Sequence, residues 1–123
     1  MYIYSFEKLE VWKEAKEFTK LVYKMTSHFP DSKKFGLTSQ LRRASVSICS
    51  NLAEGSARNT PKDKARFTTI SFGSAVEVLN QLIIAKELSF LSEDDYKTSR
   101  EKLESITNKL NSLRKYQITK STN

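Results

Sequence analysis

The chain has 123 residues, which is the length of one ordinary domain. Hydrophobic residues make up 38% and charged residues 28%, a balance that excludes both a membrane bundle and a disordered tail. The net charge of +7 favours polyanionic partners, whereas 3 Gly and 2 Pro are too few for a hairpin-rich fold.

Turn residues divide the chain into four segments. Phe29-Pro30 ends the first, Gly55 to Pro61 separates the second from the third, and Leu91-Ser92 opens the fourth. These signals predict helices over 6–29, 37–57, 61–88 and 93–116. We therefore expect one domain over 1–116, followed by a polar C-terminal tail over 117–123.

Apolar residues recur at steps of three and four, the period of a helix that buries one face. The predicted core residues of the first, second and fourth helices are Val11, Ala15, Phe18, Val22, Met25, Phe29, Leu37, Leu41, Ala44, Ile48, Leu52, Leu103, Ile106, Leu110 and Leu113. Long helices with short connections predict an all-α, antiparallel up-down four-helix bundle.

The third helix is apolar on two sides. Its first face consists of Phe67, Ile70, Val78, Leu82 and Ala85. Its second face, nearly opposite, consists of Phe72, Val76, Leu79 and Ile83. Either this second face is buried between copies of the chain in a homo-oligomer, or the helix is central and has a wide core face. The candidate oligomer interface is Leu9, Trp12, Tyr23, Phe72, Val76, Leu79 and Ile83. Gly73 in this helix indicates either a close approach of another helix or a position of no special role.

A regular polar line follows the second helix beside its apolar face, and the third helix carries a shorter one. The members are Gln40, Arg43, Ser47, Asn51, Glu54, Arg58, Ser74, Glu77 and Gln81. The line is interpreted as a structural network in which Arg43 pairs with Glu77 or Glu54, as a phosphate-binding surface, or as chance solvation of one face.

Basic residues are slightly concentrated in the second quarter of the chain. The candidate nucleic-acid contacts are Lys33, Lys34, Arg42, Arg43 and Arg58. Zinc-finger, KH and RRM signatures are absent from the sequence, so binding would involve the phosphate backbone and depend steeply on salt. Alternatively, the charge is incidental, and the chain is a protein–protein interaction scaffold with no physiological nucleic-acid ligand.

Groups for catalysis or metal binding are scarce in the sequence. His28 is the only histidine, and Cys49 is the only cysteine and has no histidine partner. We therefore expect a chain that is not an enzyme, with no catalytic, cofactor-binding or metal-binding residues. The opening residues lack the basic-then-apolar order of a signal peptide, which predicts a cytoplasmic protein without a membrane partner.

Several stretches resemble a known bacterial family. They are QLRRASVSICSNLAEG over 40–55, FEKLEVW over 6–12, Phe29-Pro30 and GSAVE over 73–77. Over 6–113 the chain resembles the four-helix bundle proteins named for the 23S rRNA intervening sequence. The resemblance implies a homopentamer. It extends to the accessory variability proteins of diversity-generating retroelements, which implies RNA or DNA and a reverse transcriptase as partners of a non-enzymatic accessory module.

Overall fold

Four α-helices pack side by side, and each is antiparallel to the helix before it in the chain. The computed structural model describes residues 1–30 and 36–121, and the helices within them are α1 (Glu10–Thr26), α2 (Leu37–Ser56), α3 (Pro61–Glu87) and α4 (Glu93–Ser121). α2 packs against α3, α3 packs against α4, and α1 contacts both α2 and α4. The predicted all-α four-helix bundle is confirmed.

Two of the helices begin where their capping residues predict. The Thr60 hydroxyl accepts a hydrogen bond from the Asp63 N–H at 3.1 Å, with Pro61 in the first turn of α3. The Ser92 hydroxyl accepts from the Asp95 N–H at 3.1 Å in the same way, and acidic residues fill the first turn of α4.

The start of the first helix differs from the prediction. Ser5–Lys8 forms a short 3₁₀ helix, and Leu9 is extended with φ −76° and ψ 120°, so α1 begins only at Glu10. The reason is an aromatic contact, because the break lets the Phe6 ring fold back onto Trp12 with centroids 5.0 Å apart.

The ends of α1 and α4 also differ from the prediction. α1 ends at Thr26, although Phe29 beyond it is still buried and packs on Phe90. α4 continues to Ser121 through the region where we predicted a polar tail. The Thr68 hydroxyl donates to Gln117 Oε1 at 2.7 Å and thereby anchors these last turns of α4 on α3.

The core contains almost every residue that the apolar spacing predicts. The exceptions are Leu37 and Leu113, which are half-buried, and Ile70, which is exposed. The prediction for Ile70 is wrong because it lies at the outer edge of α3, whereas Phe67 and Val78 point between α2 and α4.

α3 is also the one described helix that is long and apolar enough to span a membrane by length and composition. In the fold it packs between α2 and α4 and buries Ser71 and Gln81, as the core helix of a bundle does. The Ser71 hydroxyl donates to the Ile48 carbonyl oxygen at 2.9 Å, which joins α3 to α2.

Candidate nucleic-acid interface

Part of the polar line on α2 joins α2 to α3. The hydroxyls of Ser47 and Ser74 hydrogen-bond across the two helices at 2.8 Å. Asn51 donates to the Ser47 carbonyl oxygen and hydroxyl at 2.9 and 3.0 Å. Because all three side chains are half-buried, these bonds are partly shielded from water and help to align α2 with α3.

The other members of the polar line lie apart from this group. Those that are exposed on α2 are Gln40, Arg43 and Glu54. Arg43 lies on the outer face of α2 and donates to Ser39 at 3.4 Å, so within the described ranges the predicted ion pair with Glu77 or Glu54 does not form. Gln81 donates to Glu77 at 3.1 Å within α3. The line is therefore two small hydrogen-bonded groups and a solvated edge.

Arg42 lies at the contact between α1 and α2. Its Nε donates to the Thr26 hydroxyl at 2.9 Å, and its Nη2 donates to the Tyr23 carbonyl oxygen at 3.4 Å. The guanidinium also covers the Tyr23 ring, with Cζ 4.6 Å from the centroid. Arg42 therefore satisfies groups at the end of α1, as basic side chains near a helix C-terminus commonly do.

Arg58 belongs to a cationic corner where α2 meets α3. Arg58 and Arg66 both cover the Phe67 ring, with Cζ at 4.4 and 4.6 Å from its centroid. Asp63 lies between them, 3.7 Å from Arg58 Nε and 2.9 Å from Arg66 Nη2. Lys64 donates to the Ser56 carbonyl oxygen at 3.0 Å and caps the end of α2. The corner holds two guanidinium groups in place before any ligand is bound.

The predicted nucleic-acid contacts do not form one site. Arg42 and Arg43 lie near the start of α2 and Arg58 lies beyond its end, which is about 24 Å away at about 1.5 Å per residue. Lys33 and Lys34 lie outside the described residues. The bundle therefore separates the described candidates toward opposite ends.

The fold gathers a different set of cations at the end of the bundle that holds Arg58. The hydrogen bond between Thr68 and Gln117 places the last turns of α4 beside the first turns of α3. The cations of these turns and of the α2–α3 corner, called the basic end below, are Arg58, Lys62, Lys64, Arg66, Arg114, Lys115 and Lys120. In the sequence, the signal for this site is the absence of any Asp or Glu after Glu104.

A groove between α1 and α4 has the opposite character. It encloses about 820 Å³ over an apolar floor that includes Phe18 and Ile106. Its charged lining residues are Glu10, Lys13, Glu14, Glu17, Glu101 and Lys102. Burial alone would raise the pKa of Glu14, but hydrogen bonds from Lys109 and Ser105 and the charge of Lys109 lower it. With acids in the majority, this side does not suit a polyanion.

The residues considered for chemistry lie apart from one another. His28 is exposed after the end of α1, and Cys49 is half-buried on α2 beside Thr19, with 3.6 Å between sulfur and hydroxyl oxygen. Burial raises the pKa of the Cys49 thiol, which disfavours the reactive thiolate. Across 1–30 and 36–121, His, Cys, Asp and Glu form no group of three that would hold a metal ion.

Some residues of the candidate oligomer interface are exposed to solvent, and the others are half-buried. Val76 and Ile83 are 48% and 38% exposed, and Tyr23 is exposed as well. The half-buried members, packed against the core of their own chain, are Leu9, Trp12, Phe72 and Leu79. The exposed part of the α3 face therefore consists mainly of Val76 and Ile83.

Comparison with known proteins places this bundle in a family. No curated protein sequence matches the chain. A crystal structure of a protein with unknown function from the S23 ribosomal protein family of Bacteroides thetaiotaomicron VPI-5482 has a TM-score of 0.77 and covers 85% of this chain and 98% of that chain. The two are 21% identical, so the likeness shows the fold alone. The sequence pattern of 23S rRNA-intervening sequence proteins matches residues 7–112, from the 3₁₀ helix into α4, and the chain therefore belongs to that family.

Proposed function

We propose that the protein is a non-enzymatic, cytoplasmic accessory module that binds the phosphate backbone of RNA or DNA at the basic end. The observation that carries this proposal is the convergence of the α2–α3 connection, the start of α3 and the end of α4 at that end, each bringing cations. Asp63 and the exposed Glu54 are the acids of the same three helix ends. A local excess of positive charge attracts a polyanion more strongly than the same charge spread over the surface.

The ion pairs at the basic end leave its guanidinium groups available to phosphate. Asp63 bonds to Arg66 at the surface, and exposed pairs of this kind contribute only about 0–1 kcal/mol. Stacking on Phe67 orients Arg58 and Arg66 in advance, so little side-chain entropy remains to be lost on binding. Arginine also forms bidentate hydrogen bonds with phosphate oxygens.

A salt titration of binding tests this proposal. Lys62→Gln with Lys115→Gln removes two exposed cations from the basic end, and neither side chain makes a described contact. We expect the slope of log K against log salt for a DNA or RNA duplex to fall by about 2 in magnitude, because each lost phosphate contact removes roughly one unit. Fluorescence anisotropy of a labelled duplex at several salt concentrations measures the slope.

The matched control removes the same charge from the other end of the bundle. Lys24 lies in the last turn of α1 and Lys97 in the first turns of α4. The double variant Lys24→Gln, Lys97→Gln should leave the slope of log K against log salt unchanged. Equal slopes for the two double variants would contradict a local site. Absence of binding near physiological salt would favour the alternative of a protein–protein interaction scaffold.

The exposed face of α3 supports self-association of this module. Val76 and Ile83 lie exposed on a helix surface where Glu77 is the one charged residue between Arg66 and Lys86. Gly73 on the same helix is exposed, and no heavy atom of the residues that the structure describes lies within 4 Å of the place where a Cβ would be. Another helix can therefore approach closely at this point. The proposed partner is a second copy of the chain, in a homopentamer as the resemblance implies, with a reverse transcriptase as a further partner.

Val76→Glu with Ile83→Glu is expected to dissociate the oligomer, because both charges would be buried without partners at the contact. Sedimentation velocity should show a shift to the mass of a single chain. Val46→Glu, at a similarly exposed valine on α2, is the control and should leave the mass unchanged. An unaltered protein that already sediments as a single chain would contradict self-association.

A further inference from the structure

Four aromatic rings contact one another in sequence at the N-terminus. Tyr2 packs edge-to-face on Tyr4 with centroids 4.9 Å apart, and Tyr4 stacks on Phe6 at 6.3 Å. Phe6 then packs edge-to-face on Trp12 at 5.0 Å. We call this continuous series of rings (Tyr2, Tyr4, Phe6 and Trp12) the aromatic ladder.

The outer rings of the ladder are exposed, yet held in place. Tyr2 is 75% and Tyr4 is 62% exposed, whereas Phe6 and Trp12 are half-buried. The Tyr4 N–H donates to the Glu7 carboxylate at 2.8 Å, which fixes the chain at the start of the 3₁₀ helix. Two large rings are therefore exposed to solvent on an ordered segment of chain. Rings that served only to pack the core would be buried.

The ladder lies at the same end of the bundle as the basic end. α1 and α2 run in opposite directions, since the Thr19 hydroxyl donates to the Ser45 carbonyl oxygen and Arg42 bonds to Thr26. Residues before α1 are therefore level with the end of α2, and the 3₁₀ helix indeed contacts α2. Arg58 follows directly after that end of α2.

Exposed aromatic rings beside a cationic surface are the pattern that binds single-stranded nucleic acid. Phosphates lie on the cations while unpaired bases stack on the rings, and every base has a face for stacking. The bases of a duplex are already stacked and paired, so they gain nothing from such rings. We propose that Tyr2 and Tyr4 stack unpaired bases of an RNA or DNA strand whose phosphates lie on the basic end. This proposal rests on the function proposed above.

Binding of three labelled oligonucleotides of equal length tests the ladder. They are a single strand of thymidines, the same strand with abasic residues, and a duplex. Tyr2→Ala with Tyr4→Ala should weaken binding of the thymidine strand by at least about 5-fold, the smallest effect expected for losing one stacked base. Binding of the abasic strand and the duplex should not change, because both keep their phosphates.

Two further variants separate stacking from other roles. Tyr2→Phe with Tyr4→Phe keeps the rings and should retain binding of the thymidine strand. Tyr23→Ala removes an exposed tyrosine at the opposite end and should have no effect on it. Equal losses on the abasic and thymidine strands would overturn base stacking while leaving phosphate binding intact. A change in sedimentation of the alanine variant without a base-dependent loss would also overturn it, and would indicate that a second copy covers the ladder.

Discussion

Leu82→Ala is expected to lower the free energy of unfolding by about 2–5 kcal/mol. Leu82 is fully buried in α3, the helix that packs between α2 and α4. Loss of its branched end leaves a cavity that the helices fill only partly, because the core is closely packed. Urea unfolding followed by circular dichroism measures the change at matched protein concentrations, since assembly would shift the apparent stability.

Ile84 provides the control for Leu82 in the same helix. It is 41% exposed, so Ile84→Ala removes less buried surface and leaves no enclosed cavity, and it should cost about 1 kcal/mol or less. Comparable losses from the two variants would contradict this assignment of inner and outer faces on α3.

Gly55→Ala is expected to destabilise the protein by about 1–3 kcal/mol, although alanine favours a helix by about 1 kcal/mol over glycine. A Cβ at Gly55 would lie 2.7 Å from the Cβ of Phe67. Because that atom is attached directly to the α3 backbone, the clash is relieved only if α2 or α3 moves. The same denaturation experiment measures the loss. Since Phe67 supports Arg58 and Arg66, such a shift should also disturb the basic end.

Gly73→Ala is the matched control, with the opposite expected sign. Within a single bundle Gly73 has open space at its Cβ position, so in the Val76→Glu, Ile83→Glu background, which removes the proposed contact between copies, the variant should gain up to about 1 kcal/mol from helix propensity. Among the described residues of one bundle no heavy atom lies within 4 Å of a Cβ at Gly73, so a close helix approach at this position would come from a second copy of the chain. Equal destabilisation by the two variants would contradict the assigned packing of α2 on α3.

Local signals predict the helices well and their ends less well. Thr60 and Ser92 cap α3 and α4 as the sequence indicates, because a cap involves only residues within one turn. The failures depend on distant partners. Phe6 leaves the predicted helix to pack on Trp12, and Gln117 extends α4 by bonding to Thr68.

The candidate site was harder to predict than the fold. Along the sequence the positive charge is nearly evenly spread, and the mild cluster at Arg42, Arg43 and Arg58 is divided by the length of α2. Arg66 and Arg114 are distant in the chain but share one end of the bundle, because α3 and α4 run in opposite directions.

Helix number, order and core-facing stripes follow from the amino-acid sequence, because they depend on the three- and four-residue spacing of apolar side chains within each helix. The packed bundle determines properties that the spacing of apolar residues does not encode. It leaves Val76 exposed, commits Arg42 to the end of α1, and brings the cations and the aromatic ladder to one end. These properties arise from contacts between residues far apart in the chain, which exist only once the helices have packed.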